Sequence, residues 1–248
     1  MFSLPLSDRP GSDLISKLIL QDQRIMNIIT KELIGKPYCE NLYQLGQTEW
    51  SDSSKSDVVY VPLRQYQKSL PPILIEVQHG IDNSFLTRLM KYAISVYEVY
   101  GQEPLVFVIG VGRPVPHTIK DLLTEDEERP YLWPLKVGFW KTPFLIATTE
   151  SLAKQLEKNL LPPLAAIALF FTAQKRCLLG MGKHRHDPNI ILLYRIAKEK
   201  MQKEIKTEAD KRDIISTICK QTENQVSKIL DILKKEIIFP DELDDAIR

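Results

Sequence analysis

The chain lacks most of the features that would reveal its class directly. Its three cysteines, Cys39, Cys177 and Cys219, are odd in number and far apart. That excludes a paired disulfide framework and offers no zinc-ligand cluster, so a reducing compartment is expected. A charge of one sign is also missing. Against 32 acidic residues stand 33 Lys and Arg, a formal charge of +1, so there is no global attraction for nucleic acid and any basic binding surface is local. The longest apolar run, residues 160–171, contains Pro162 and Pro163; at about twelve residues it is too short to span a bilayer. The opening M-F-S-L-P-L-S-D-R-P-G has neither a basic start nor a long apolar core, so no secretory signal is expected and the segment reads as a flexible lead-in. Internal repeats and low-complexity tracts are absent. What remains is the composition of an ordinary globular protein, 44% hydrophobic and 26% charged. The chain is long enough for one sizeable domain with additions. These features predict a soluble intracellular protein, nuclear or cytoplasmic, with no membrane segment.

One stretch, residues 56–112, organises the rest. It runs through S-D-V-V-Y-V-P (56–62), P-P-I-L-I-E-V-Q-H-G (71–80), an amphipathic segment (82–100) and P-L-V-F-V-I-G-V-G (104–112). The periodicities predict strand, strand, helix, strand. The unbroken apolar run at 105–111 predicts a strand buried on both faces, and the intervening helix predicts parallel pairing of the strands it joins. Three polar residues interrupt the first two strands: Asp57, Glu76 and Gln78. Burying a carboxylate is costly without a partner, usually a cation. Alternation places Leu74, Glu76 and Gln78 on one face and Ile73, Ile75 and Val77 on the other. If Asp57 lies on a neighbouring antiparallel strand, its carboxylate reaches the space before Glu76. Two carboxylates and the Val77 carbonyl then make a hard oxygen site suited to Mg²⁺. The alternative is a set of polar side chains that simply face water.

The order of these elements resembles a known family. An aspartate, then E-x-Q about twenty residues later on a second strand, then a helix bearing R-x-x-x-Y (Arg88 to Tyr92) and an apolar strand, resembles the PD-(D/E)XK nucleases. Within them it is similar to the recombination-promoting nuclease and transposase branch. The resemblance covers residues 13–112. It implies a restriction-endonuclease-like α/β fold, a mixed sheet core flanked by helices, with a mostly helical C-terminal extension. The expected division is a nuclease-like domain at 12–195, with its core at 12–112, and an extension at 196–248. The activity implied is Mg²⁺-dependent endonucleolytic hydrolysis of DNA phosphodiester bonds, with one or two ions, linked to transposition or recombination. Asp57, Glu76 and Gln78 are the implied catalytic residues, with Asp57, Glu76 and the Val77 carbonyl as metal ligands. A further acid is expected from Glu32, at the end of the preceding helix, or from Glu49. Arg88, Lys91 and Tyr92 are expected to hold phosphate. DNA is the expected partner, and a homodimer is allowed. The wider family keeps lysine where this chain has Gln78, which brings no charge to the attacking water. A catalytically silent, transposon-derived scaffold that binds DNA or a protein is therefore the second expectation.

Around this core the pattern predicts one helix at 13–33, begun by Ser12 or Asp13 and ended by Gly35 and Pro37. A first strand is predicted at 40–50, with Leu42, Leu45 and Trp50 inward. In the helix at 82–100, Phe85, Leu86, Leu89, Met90, Ala93, Ile94 and Tyr97 form the expected buried stripe. Arg88, Lys91, Tyr92 and Ser95 gather on another side. Further strands are predicted at 135–140 and 144–147, and helices at 152–160, 164–178, 188–203 and 213–235. Positive charge concentrates only in K-R-C-L-L-G-M-G-K-H-R-H (175–186). This segment is expected to border the carboxylate pocket and follow a phosphate backbone. His184 and His186 have no third ligand nearby in sequence, which argues against zinc.

Overall fold

Three antiparallel strands, a crossover helix and a parallel strand form the centre of a six-stranded mixed sheet. The computed structural model describes residues 2–5, 8–35, 40–204 and 208–237; Cys39 and Pro37 lie outside them. Two compact units divide the chain, Met1–Lys200 and Met201–Arg248.

In the first unit the strands are β1 (Tyr43–Leu45), β2 (Val58–Pro62), β3 (Ile73–Gln78), β4 (Leu105–Gly110), β5 (Trp133–Leu135) and β6 (Phe144–Thr148). Their spatial order is β1-β2-β3-β4-β6-β5. Pairing is antiparallel from β1 to β3, parallel across β3, β4 and β6, and antiparallel again at β5. As expected, the Val59 and Ile75 strands share a sheet and β4 pairs parallel with β3. Every residue of β4 is buried, because helices cover both of its faces.

Helix α3 (Asn83–Tyr100) makes the β3-to-β4 crossover. Asp82 caps it by accepting from Phe85 N at 2.8 Å, and Gly101 ends it at φ 69°, the left-handed conformation that glycine adopts without a Cβ penalty. Its inward face is Phe85, Leu89, Tyr92, Ala93 and Val96, packed over Val59, Val61, Leu74, Val106, Val108, Phe144 and Ile146. The stripe expected from sequence is turned: Ile94 and Tyr97 are exposed, and Tyr92 is buried in their place. The helix approaches the sheet so that positions four and seven beyond Phe85, not nine and twelve, face the strands.

The helix expected at 13–33 is two. Helix α1 (Asp13–Leu20) stops at Gln21, and α2 (Gln23–Ile34) starts afresh with Asp22 as its cap, which accepts from Arg24 N at 3.1 Å. An aspartate inside an apolar-periodic run prefers to bond the backbone locally, and here that preference breaks the helix. Gly35 ends α2 at φ 68° as expected. The first strand is only three residues long. Tyr43 points inward, with its hydroxyl donating to Pro71 O at 2.9 Å, while Leu45 is exposed. Gly46 ends the strand where a Cβ would meet the Tyr100 hydroxyl and Val61 Cγ1, each at 2.8 Å. The lead-in is anchored, not free: Leu4 is fully buried, its N–H donates to Arg176 O, and its carbonyl accepts from Arg176 Nε, both at 2.8 Å.

Beyond β4 lie the short α4 (His117–Lys120) and α5 (Thr149–Leu152), then α6 (Pro163–Ala173) and α7 (Pro188–Glu204). The strand expected at 135–140 falls instead at Trp133–Leu135. The helix expected at 152–160 is a 3-10 turn (Ala153–Gln155) followed by loop. Helix α6 ends at Ala173, with Gln174 left-handed at φ 51°. Eight consecutive residues of α6, Leu164 to Phe171, are buried; it packs against α2, α5, β4 and β6, so the longest apolar run is a core helix. In the second unit, α8 (Glu208–Ile237) is one long helix with Ile215, Ile218, Val226, Ile229 and Leu230 exposed. Cys177 and Cys219 are free thiols, and no described helix is long and apolar enough to cross a membrane.

Candidate active site

Antiparallel register places Asp57 opposite Glu76, one step beyond the Val58–Ile75 pair. Alternation from Val59 and Leu74, which pack under α3, puts both side chains on the α3 face. They hold each other's strands: Asp57 N donates to Glu76 Oε1 at 2.9 Å, and Val77 N donates to Asp57 Oδ2 at 2.8 Å. Val77 thus enters the site through its N–H. The second oxygens, Asp57 Oδ1 and Glu76 Oε2, accept from no described residue.

Glu76 is 5% exposed. Burial, and secondarily the Asp57 carboxylate, push its pKa up to about 8. Burial also raises Asp57. Two carboxylates in a shared half-dry space cannot both ionise comfortably without a cation. Gln78 is the third residue of the set. Its Oε1 accepts from Arg88 Nη2 at 3.0 Å and its Nε2 donates to Gly80 O at 3.1 Å, which fixes the amide's orientation and leaves one N–H and one lone pair. The Arg88 guanidinium lies over the Phe85 ring, 5.4 Å from its centre, and its positive charge acts on both carboxylates.

Tyr92 is not on the phosphate-facing surface expected for it. It belongs to the buried stripe of α3, where burial and then the Glu76 charge raise its hydroxyl's pKa. Lys91 is exposed, and its charge acts on Asp52 in the loop before β2. Glu32 stands apart: its carbonyl accepts from Arg129 Nη1, and its carboxylate acts on Tyr131. Glu49 is exposed and pairs with Lys55 at 2.5 Å.

The groups that sequence reasoning missed are on α1. Lys17 pairs with Asp13, Nζ to Oδ1 2.6 Å, one turn apart. The Asp13 hydrogen bond chiefly raises the Lys17 pKa, and the charges of Asp57 and Glu76 add to it. Asp13 in turn raises Asp57. The signal was the Asp13–Lys17 pair at i, i+4. A single helix over 13–33 would instead put the expected acid at its far end, at Glu32.

Among the described residues no three His, Cys, Asp or Glu side chains are grouped to hold a metal. Mg²⁺ does not require such a cage, because it keeps several waters and takes one or two carboxylates plus substrate phosphate. The donor set fits that pattern: two adjacent carboxylates, each with one uncommitted oxygen, and one made hard to ionise by burial and by the other. The basic segment is not at this site. Lys183, Arg185 and His186 line a separate cleft with Asn159, Leu160 and Gly182. His184 is buried and His186 exposed, so the two imidazoles do not converge.

Comparison with known proteins finds no counterpart: no family model, curated protein or solved structure matches the chain. What fold and site define is an α/β protein with a mixed sheet and a carboxylate pair, Glu76 buried and Asp57 half-buried, at the carboxyl end of β3.

Proposed function

We propose that the chain is a metal-dependent endonuclease of the PD-(D/E)XK type, with a restriction-endonuclease-like core, that hydrolyses phosphodiester bonds in DNA. The observation that carries this reading is the reciprocal pairing of Asp57 and Glu76 on neighbouring strands, with one free oxygen each. The succession of helix, three antiparallel strands, crossover helix and parallel strand around that pair supports it. Asp57, Glu76 and the Val77 carbonyl would hold Mg²⁺; when bound, the ion lowers the pKa of a water and neutralises charge on the phosphate.

The chain's own residues complete the site. Asp13, on the helix ahead of the sheet, holds Lys17 in place and acts on Asp57 through its charge alone. Lys17 supplies the positive charge that the wider family carries on the strand. Arg88, stacked on Phe85 and bonded to Gln78, keeps free guanidinium edges for phosphate oxygens. Tyr92 closes the inner wall and limits water there.

A second reading, a silent scaffold that binds DNA or a protein, is favoured by one observation. The Gln78 amide is tied to Arg88 and Gly80 and brings no charge to an attacking water. A plasmid-nicking assay separates the two. Mg²⁺-dependent nicking that is lost in chelator and in Glu76→Gln supports the nuclease. Absence of nicking by wild-type protein with Mg²⁺ or Mn²⁺ leaves the scaffold.

A further inference from the structure

At the other end of α6 the surface reverses the chemistry of the carboxylate pair. A cleft of about 430 Å³ is lined by Asn159, Leu160, Gly182, Lys183, Arg185 and His186. No acidic side chain lines it, and neither Lys183 nor Arg185 makes a salt bridge to any described residue. Their donors are only partly used. Lys183 Nζ donates to Glu157 O at 2.8 Å, which pins the ammonium at the rim and leaves two of its hydrogens. Arg185 Nε donates to His186 Nε2 at 3.0 Å, which holds the two side chains together and leaves both Nη groups and the Nδ1 edge of the ring. The Asn159 amide has no partner among the described residues. Gly182 shapes the floor at φ 57°, a conformation that a side chain would strain.

The backbone that carries these groups is fixed. Asp187 is 1% exposed; its carboxylate accepts from Leu161 N at 3.0 Å and from Asn189 N at 2.9 Å, tying the segment to the start of α6 and capping α7. The cleft is therefore a fixed concave surface of donors with no acid to satisfy them.

We propose that this cleft is an anion site for a phosphate group, held by Lys183, Arg185, His186 and Asn159. That the phosphate belongs to a nucleic-acid backbone rests on the nuclease reading. Position makes it a site of its own. Gln174, at the carboxyl end of α6, donates from Nε2 to Val111 O at 3.0 Å, and Val111 N donates to Gln78 O at 2.9 Å. The carboxylate site thus adjoins one end of α6 and the cleft the other. The eleven residues of α6 span roughly 16 Å.

The test uses the full chain in chelator, so that nothing is cut, with a labelled duplex followed by anisotropy across a salt series. In a second arm, inorganic phosphate is titrated while the His186 ring signals are followed by NMR. Lys183→Gln/Arg185→Gln should weaken duplex binding about thirty-fold at roughly 0.15 M salt, with the gap closing towards 1 M and the salt slope falling by about two. The charge-matched Arg64→Gln/Lys68→Gln on the β2–β3 loop should change affinity far less. Inorganic phosphate should shift the His186 signals in wild-type protein and not in the Lys183/Arg185 variant. If phosphate shifts them while duplex affinity is unmoved or absent, the nucleic-acid source is overturned. If the two arms are both silent, the site itself is overturned. Duplex binding that depends on Lys183 and Arg185 in a protein that never nicks plasmid would sink the nuclease reading and leave this site standing.

Discussion

The carboxylate pair and the basic cleft solve opposite electrostatic problems. Asp57 and Glu76 are largely withdrawn from water, and their charges are expensive in the free protein. Lys183, Arg185 and His186 are exposed, so water solvates them. An exposed cation costs little to keep and gives little back to folding. A buried pair of acids costs stability unless a cation arrives. The difference teaches where function is constrained: the acid pair cannot be explained as surface decoration, whereas the cleft needs a ligand to distinguish it from a solvated face.

The sharpest way to break this contrast is Glu76→Gln. The amide keeps the volume and one acceptor for Asp57 N, so the β2–β3 join survives. With Asp57 as the only remaining strong anionic ligand, Mg²⁺ should fill the site too weakly. The expected loss of nicking rate is on the order of 10³-fold, the equivalent of several kcal/mol of metal-derived stabilisation. Full activity in that variant, or equal cleavage in chelator, removes the acid pair from the chemistry.

Next in size is Lys17. Its side chain is a third exposed and held by Asp13, so its field reaches the pair partly screened. A unit charge about 4 Å from a reacting group is worth roughly 4 kcal/mol at an effective dielectric near 20. Greater separation and solvent reduce this, and Lys17→Met should cost roughly 10–100-fold in kcat with little change in melting temperature. Restoration by Lys17→Arg would assign the effect to charge. An unchanged kcat in Lys17→Met would return the Asp13–Lys17 pair to a surface role.

Much of the central geometry was legible because strands are simple to read. The apolar run of β4 and the alternation across Glu76 and Gln78 follow from a period of two, and a turn between two apolar segments left antiparallel pairing as the natural way to bring Asp57 to Glu76. Helix phase was harder. The stripe of α3 depends on how the helix crosses the sheet, and a rotation of less than one residue exchanges Tyr92 for Ile94. The α1–α2 break was written in Asp22, but an N-cap inside an apolar pattern is outvoted by the pattern. The position of the basic segment was not legible at all. It is set by long-range ties, Asp187 to Leu161 and Gln174 to Val111, that no local periodicity encodes.

A smaller effect tests the cost of the buried pair without any assay of activity. The folded-state pKa of Glu76 is raised from its ordinary 4.5 to about 8, so the folded protein binds more protons than the unfolded chain between those values. Stability is therefore fully present below about pH 4.5 and is lost as pH rises, by roughly 1.4 kcal/mol per pH unit at most, until about pH 8. Chemical denaturation at pH 5, 6.5 and 8 in chelator should show that fall. It should flatten in Glu76→Gln, and Mg²⁺ should reverse it at pH 8. A rise in stability across this range would mean that the pair is already compensated by Lys17 and Arg88.

The smallest effect concerns Gln78, at the position where the PD-(D/E)XK nucleases it resembles carry lysine. By charge alone Gln78→Lys should restore rate, but the neighbour is unfavourable. Gln78 Oε1 is the acceptor for Arg88 Nη2 at 3.0 Å; a lysine at position 78 removes that acceptor and sets an ammonium against a guanidinium. Like charges at such a separation repel by about 1 kcal/mol when water screens them. The ammonium would turn outward, away from the carboxylates, and Gln78→Lys alone should leave kcat within about three-fold of wild type. Removing the opposing charge as well, in Gln78→Lys/Arg88→Gln, lets the ammonium lean towards Asp57 and Glu76 and should recover more rate than Arg88→Gln alone. The informative quantity is the coupling between the two substitutions, measured as a double-mutant cycle on kcat. Additive effects would show that Arg88 does not decide what position 78 can hold. A rate-raising coupling would show that glutamine is there because Arg88 and Lys17 already supply the charge from either side of the pair.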